Sequence, residues 1–309
     1  VENNLDVKGN VKFLGSVSDN GVNGKQLVDK FPETSHTIGT INPRGHAFLD
    51  KTNTIRFTGT EHYNRGNTGR YHHTYNAWMD VNIPSDHDRV SDPIEKLYIG
   101  RHEIFCITKN GVGFAAGYNS YALLANVPGN YSNVKDVPRL DNTNMRRIRH
   151  DKPLRKITVP EYSSHDIYMV DRDNTLWGAG YNHHGVLSTG NNHHSYNATN
   201  NSAANSSKQL IKVKDNVVDA WLHGYDGYIT GFALGTDKKF YTVGYNSHGE
   251  LGIGHKSNSN ARRLEKVTLN GFGNENVKSV HISFGRTAKT IYIITEKDQL
   301  WGWGYNGLG

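Results

Sequence analysis

One short phrase, restated along the chain, limits what this sequence can fold into. It reads Leu176-Trp177-Gly178-Ala179-Gly180-Tyr181-Asn182 and again Leu300-Trp301-Gly302-Trp303-Gly304-Tyr305-Asn306. Looser copies are Gly113-Phe114-Ala115-Ala116-Gly117-Tyr118-Asn119 and Phe240-Tyr241-Thr242-Val243-Gly244-Tyr245-Asn246. A worn copy, Ile55-Arg56-Phe57-Thr58-Gly59, is followed by Tyr63-Asn64. The anchoring glycines 59, 117, 180, 244 and 304 are 58, 63, 64 and 60 residues apart. A near-constant step of this size marks one supersecondary unit repeated in series.

Each unit reads as up to four strands. Lead-in strands are Ile94–Ile99, Val217–Leu222 and Val277–Ile282. Compact apolar runs follow at Ile104–Thr108, Ile167–Val170, Ile229–Leu234 and Ile291–Thr295. Turns fall at Lys109-Asn110-Gly111, Asp171 to Asn174, Thr236-Asp237-Lys238 and Glu296-Lys297-Asp298, where Asn, Asp and Gly tolerate positive φ. The repeated phrase is the third strand. Asn76–Val81, Val134–Val137, Leu210–Val213 and Leu264–Leu269 are expected as fourth strands.

The third strand has its own logic. Phe114, Trp177, Tyr241 and Trp301 stand three positions before the glycine, where an aromatic fills space between sheets. Arg56 departs from that rule. Ala115, Gly178, Thr242 and Gly302 come next, small enough for strands to crowd near an axis. The glycines free the backbone to turn, and Asn119, Asn182, Asn246 and Asn306 can bond that turn. Four-stranded antiparallel units of this size pack face to face around a ring, in preference to an open stack. Five third strands but four fourth strands leave two outcomes. Either the N-terminal hairpin closes a small ring, or the natural chain continues.

Residues 1–35 carry no repeat and are expected as a β extension preceding a 36–309 propeller. Leu5 to Val17 alternates apolar and polar about Gly9-Asn10, a strand pair in which Leu5, Val7, Val11 and Phe13 are candidate docking positions. Gln26–Phe31 reads as one helical turn.

Composition excludes more than it assigns. No apolar run reaches the length of a membrane span, so a soluble chain without membrane insertion is expected. The chain begins at Val1 and reads as trimmed or partial. A single cysteine, Cys106, excludes an internal disulfide and a cysteine-rich metal site. No phosphate loop, nucleophile elbow or metal-ligand helix is present, and no enzyme activity or cofactor is expected. The pairs His72-His73, His183-His184 and His193-His194 read as solvated loops, since neighbours on a strand face opposite ways. Asn191–Ser207 is a polar, low-complexity loop. Arg146 to Lys156 is the densest basic run; Arg146, Arg147 and Arg149 are candidates for gripping an acidic partner. Without interleaved aromatics, a nucleic acid is not the expected partner.

Gly244-Tyr245-Asn246-Ser247-His248-Gly249-Glu250-Leu251-Gly252-Ile253-Gly254 resembles the RCC1 repeat hallmark, and Gly180 to Leu187 matches its first half. The resemblance implies an all-β, RCC1-like β-propeller of about five four-stranded units. It leaves function open, since such propellers serve exchange factors, ubiquitin ligases, enzyme inhibitors and phage proteins alike. The stretch NNLDVKGNVKFLGSVSDNGVNG looks like the β phrases of T-even phage tail fibres. Together these resemble the hinge proteins of long tail fibres. That implies a structural virion connector made in the bacterial cytoplasm, one copy per fibre, between trimeric proximal and distal segments. The alternatives are an exchange-factor or adaptor propeller binding an acidic protein, and a receptor-binding fibre component.

Overall fold

A computed structural model describes residues 5–6, 38–42, 45–50, 52–64, 70–101, 103–117, 145–160, 166–190, 210–225, 228–254, 261–269, 271–272, 274–284 and 289–305. Val7, Val11, Phe13, the Gln26–Phe31 turn, Val134–Val137, Asn119 and Asn306 lie outside them, as do His193-His194 and the Asn191–Ser207 loop.

All described regular structure is β, in five antiparallel sheets that follow one another along the chain. The first holds β1 (Leu5–Asp6), β2 (Ile38–Asn42), β3 (Gly45–Leu49), β4 (Ile55–Asn64) and β5 (Arg70–Val81). The second holds β6 (Ile94–Ile99), β7 (Glu103–Thr108), β8 (Gly113–Gly117) and β9 (Arg146–Arg147). The third holds β10 (Leu154–Thr158), β11 (Asp166–Asp171), β12 (Leu176–Gly180) and β13 (Ile211–Lys214). The fourth holds β14 (Val217–Tyr225), β15 (Tyr228–Gly235), β16 (Phe240–Gly244) and β17 (Ala261–Lys266). The fifth holds β18 (Val277–Phe284), β19 (Lys289–Thr295) and β20 (Leu300–Gly304).

The anchoring glycines occupy one register position. Gly59 pairs with Gly45, Gly117 with Glu103, Gly180 with Asp166, Gly244 with Thr230 and Gly304 with Thr290. Six residues earlier stand Asn53, Gly111, Asn174, Lys238 and Asp298, all at positive φ as the turn chemistry requires. That conformation also places a hook. Leu154 N donates to Gly111 O at 2.8 Å, Val217 N to Asn174 O at 2.7 Å and Val277 N to Lys238 O at 2.8 Å. Between the first two sheets the side chain substitutes, with Ile94 N donating to Asn53 Oδ1 at 2.8 Å. The turn of each of the first four sheets thus binds the opening amide of the next sheet.

The core lies between successive sheets. Ile104 and Cys106 of β7 pack toward the first sheet, whereas Phe105 and Ile107 pack toward the third. Ile167 and Met169 of β11 face the second sheet, while Tyr168 and Val170 face the fourth. A strand covered on both faces needs a continuous apolar run, which is why these segments do not alternate. Burial raises the pKa of the Cys106 thiol, so it stays protonated and behaves as a small apolar residue.

Phe114, Trp177, Tyr241 and Trp301 occupy equivalent places, each against the cluster shared with the preceding sheet. Trp177 Nε1 donates to Asp171 Oδ2 at 2.8 Å. At the matching places Arg56 Nε donates to Asp50 Oδ2 at 2.9 Å, and Arg56 also pairs with Asp80. Arg56 therefore loses the ring but keeps the donor. Thr295 replaces the carboxylate in the fifth sheet, and Trp301 Nε1 finds no acceptor among the described residues.

One expectation is corrected at two of its four positions: at Gly178 and Thr242 the small residue makes room for a loop rather than for an axis. A Cβ on Gly178 would lie 2.7 Å from Leu187 Cδ2, and Thr242 Oγ1 donates to Leu251 O at 2.8 Å. Among the described residues the fourth strand of the second sheet is β9, so the basic run supplies β9 and the start of the lead-in strand β10.

Candidate partner-binding face

After each anchoring glycine the chain enters a loop that is fastened from below. The pairing side chains of the second strands do this. Asp166 Oδ1 accepts from Asn182 N at 2.7 Å, Thr230 Oγ1 donates to Tyr245 O at 2.9 Å, and Thr290 Oγ1 donates to Tyr305 O at 3.0 Å. Asn182 and Asn246 are fully buried. Their Oδ1 atoms accept from Leu187 N at 2.8 Å and Leu251 N at 3.0 Å, closing the loop five residues on. The expected asparagine role is met at these two positions.

Anchored this way, the intervening tyrosines meet the histidines of the same loops. His183 stacks on Tyr181 with ring centroids 5.1 Å apart and touches His184 at 4.6 Å. His184 contacts Tyr228 at 5.5 Å and Tyr245 at 5.2 Å, and those two tyrosines are 5.1 Å apart. His248 continues the row, 6.4 Å from Tyr245 and 5.0 Å from Tyr305. The result is a strip of rings across the third, fourth and fifth sheets. Tyr228 is 52% exposed and Tyr305 37%, so the strip reaches solvent.

Charged groups lie beneath it. Lys289 is buried, with Nζ donating to Tyr228 O at 3.0 Å and Thr230 Oγ1 at 2.8 Å, and it sits 5.2 Å from the Tyr245 ring. Burial pulls its pKa down to about 8, against the opposing pull of Glu250. Glu250 is buried and accepts from His248 N at 2.8 Å. Burial pushes Asp166 up to about 7, although backbone amides of Asn182 and Tyr181 offset part of this.

Lys289→Met tests that picture. A lysine whose pKa falls from 10.5 to about 8 penalises the fold fully below pH 8, and the penalty fades toward pH 10.5. Relative to the parent, the variant should gain about 2 kcal/mol on going from pH 10 to pH 7 in urea unfolding. A pH-independent difference would contradict a buried ammonium.

The residues singled out from sequence are not gathered here. Leu5 lies in β1, paired with Gly39 on β2. Arg146 and Arg147 form β9, paired with Ala115 and Phe114. Arg147 and Arg149 are exposed. The end of the basic run is structural: Arg155 donates to Val217 O at 2.9 Å, and Lys156 bonds Asp219 at 2.6 Å. Both reach from the third sheet into the fourth. His183-His184 sits in the loop after β12 as expected; His183 is exposed, as expected, whereas His184 is buried within the strip. His72 and His73 lie on β5. Among the described residues no three His, Cys, Asp or Glu side chains converge as a metal site. The strip itself was missed. Its signal was the tyrosine of Gly-Tyr-Asn, present as Tyr118, Tyr181, Tyr245 and Tyr305 with no packing duty assigned to it.

No protein-family model matches the sequence, and no curated protein matches it either. Solved structures do. One is Kap60 bound to yeast RCC1 (Prp20), matched at 16% identity and TM-score 0.57 over 85% of this chain and 54% of the other. Another is Prp20p from Saccharomyces cerevisiae, at 17% identity and TM-score 0.55 over 85% and 56%. A third is human WBSCR16, at 14% identity and TM-score 0.57 over 85% and 60%. The chain thus spans little more than half the length of these relatives. Repeated antiparallel sheets with their cores between neighbours, and these structural matches, give the chain the all-β fold of an RCC1-like β-propeller.

Proposed function

We propose that this chain is a protein-binding propeller, a scaffold and not an enzyme, whose Tyr/His strip docks a partner protein. The strip carries this reading. Tyrosine and histidine offer large rigid contact area with a polar handle, and a partner covering them loses little side-chain freedom. The fold supports it too, since the structure of Prp20p was described together with its binding to Gsp1p and histones. Placing a photo-crosslinking amino acid at Tyr228 should capture one defined protein in the native host. The same group at Lys238, on the opposite rim, should not. Equal capture from both positions would remove the strip from the interface.

A second reading is favoured by the N-terminal phrase and by the placement of β1 at the edge of the first sheet. In it the propeller joins trimeric proximal and distal segments of a phage long tail fibre, one copy per fibre in the virion, with residues 1–35 as the docking extension. Host-receptor contact is a variant of the same role. Deleting residues 1–20 should abolish fibre joining while the propeller stays folded by circular dichroism. Normal joining would refute it.

A further inference from the structure

The two rims of the molecule treat charge differently. At the turn rim lysines are matched with carboxylates: Lys152 with Asp173 at 2.8 Å, Lys212 with Asp215 at 2.9 Å, Lys238 with Glu296 at 2.5 Å and Lys278 with Asp298 at 2.5 Å. Those four lysines are neutralised by carboxylates of the chain itself. Beneath the ring strip the carboxylates Asp166 and Glu250 are 1% and 0% exposed. Among the described residues, solvent there meets tyrosines, imidazoles and the Arg101 side chain, which stands 6.0 Å from the Tyr225 ring. The rings also take up one another's faces. Tyr181 and His183 are stacked 3° from parallel, and His184 lies between Tyr228 and Tyr245. A ring stacked on its neighbours offers its perimeter, where the quadrupole is positive and where the hydroxyl and N–H donors lie. Perimeters of this kind suit carboxylates better than nucleobases, which need open faces.

We infer that the strip receives an acidic segment of a partner protein and that its grip tightens as pH falls and the histidines gain charge. The inference rests on the docking role proposed above. His183 faces Tyr181 and His184. His184 faces His183, Tyr228 and Tyr245, with the Lys289 ammonium behind Tyr245. His248 faces Tyr245, Tyr305 and the Ser247 hydroxyl, and its Nδ1 lies 3.3 Å from Glu250 Oε1. Of these histidines His248 is the one near the Glu250 carboxylate, whereas His183 is exposed and, among the described residues, backed by rings. A histidine charges between about pH 7.5 and 5.8, whereas aspartates remain ionised.

The test uses the whole chain and a fluorescent dodeca-aspartate peptide, read by anisotropy at pH 7.5 and pH 5.8. Binding should tighten about tenfold on acidification and weaken in high salt. A His183→Gln/His248→Gln variant, with an unchanged thermal midpoint at pH 7.5, should bind at both pH values without that gain. No binding, binding indifferent to pH, or a gain that survives the double substitution would overturn the inference. Tighter binding of a twelve-residue oligothymidylate would overturn it in favour of nucleic acid. Loss of peptide binding in Arg147→Ser/Arg149→Ser would place the site on the basic run instead. Crosslinking from Tyr228 to a protein while the peptide fails would leave the docking role standing and remove only its acidic specificity.

Discussion

Gly244→Ala is expected to destabilise the protein by about 3 kcal/mol or more. Gly244 has φ of +103°, where an L side chain is strained. A Cβ there would also lie 2.5 Å from Ile229 O and 2.8 Å from Val186 Cγ1. The first is backbone of the paired strand β15, and the second belongs to the buried core between the third and fourth sheets. Neither can retreat without opening a hydrogen-bonded ladder or a packed interface. Gly254 separates the two causes: its φ is +84°, but nothing stands within 4 Å of an added Cβ. Gly254→Ala should cost only the conformational part, about 1 kcal/mol. Urea midpoints of the two variants give the comparison, and equal losses would show that strain alone accounts for the glycine.

Tyr168→Ala should cost about 4 kcal/mol, within the range for truncating a fully buried aromatic. The ring is completely buried in the cluster between the third and fourth sheets. Its hydroxyl donates to Val186 O at 2.5 Å, and Gly231 opposite has no side chain to obstruct it. Val186 stands two residues after His184, so this bond connects the core to the ring strip. Tyr168→Phe isolates the connection. It keeps the packing, leaves a buried carbonyl without its donor, and should cost about 1 to 2 kcal/mol. Amide exchange over residues 183–188 should accelerate in Tyr168→Phe while exchange in β15 stays slow. Uniform acceleration would mean that the hydroxyl serves general stability and not the loop.

The repeat was legible because its units obey local rules. Turns with positive φ favour Asn, Gly or Asp, with Lys238 the exception, glycines mark close backbone approach, and strands covered on both faces are apolar through their middles. Arg155 and Lys156 hid the lead-in strand β10, since charge on a strand reads as a solvated face. Their partners, Val217 O and Asp219, lie 62 and 63 residues away and cannot be seen locally. The small position was misassigned for a similar reason: Leu187 and Leu251 fold back onto it from loops that come after the strand. His184 looked like solvent-exposed polarity because its burial depends on Tyr228 and Tyr245 of the neighbouring unit. Sequence periodicity shows that units repeat, but not which side chains of adjacent units converge.

The hook from each turn to the following sheet's first amide carries a mechanical consequence. Every sheet is tied to its sequence neighbours through a hydrogen bond to an opening amide and a shared cluster, as in other quasi-linear arrays. Tension applied along the chain would therefore be borne one junction at a time, and rupture would advance in increments of about sixty residues. Such a body yields gradually under load, giving up contour length in steps while the untouched units keep their shape.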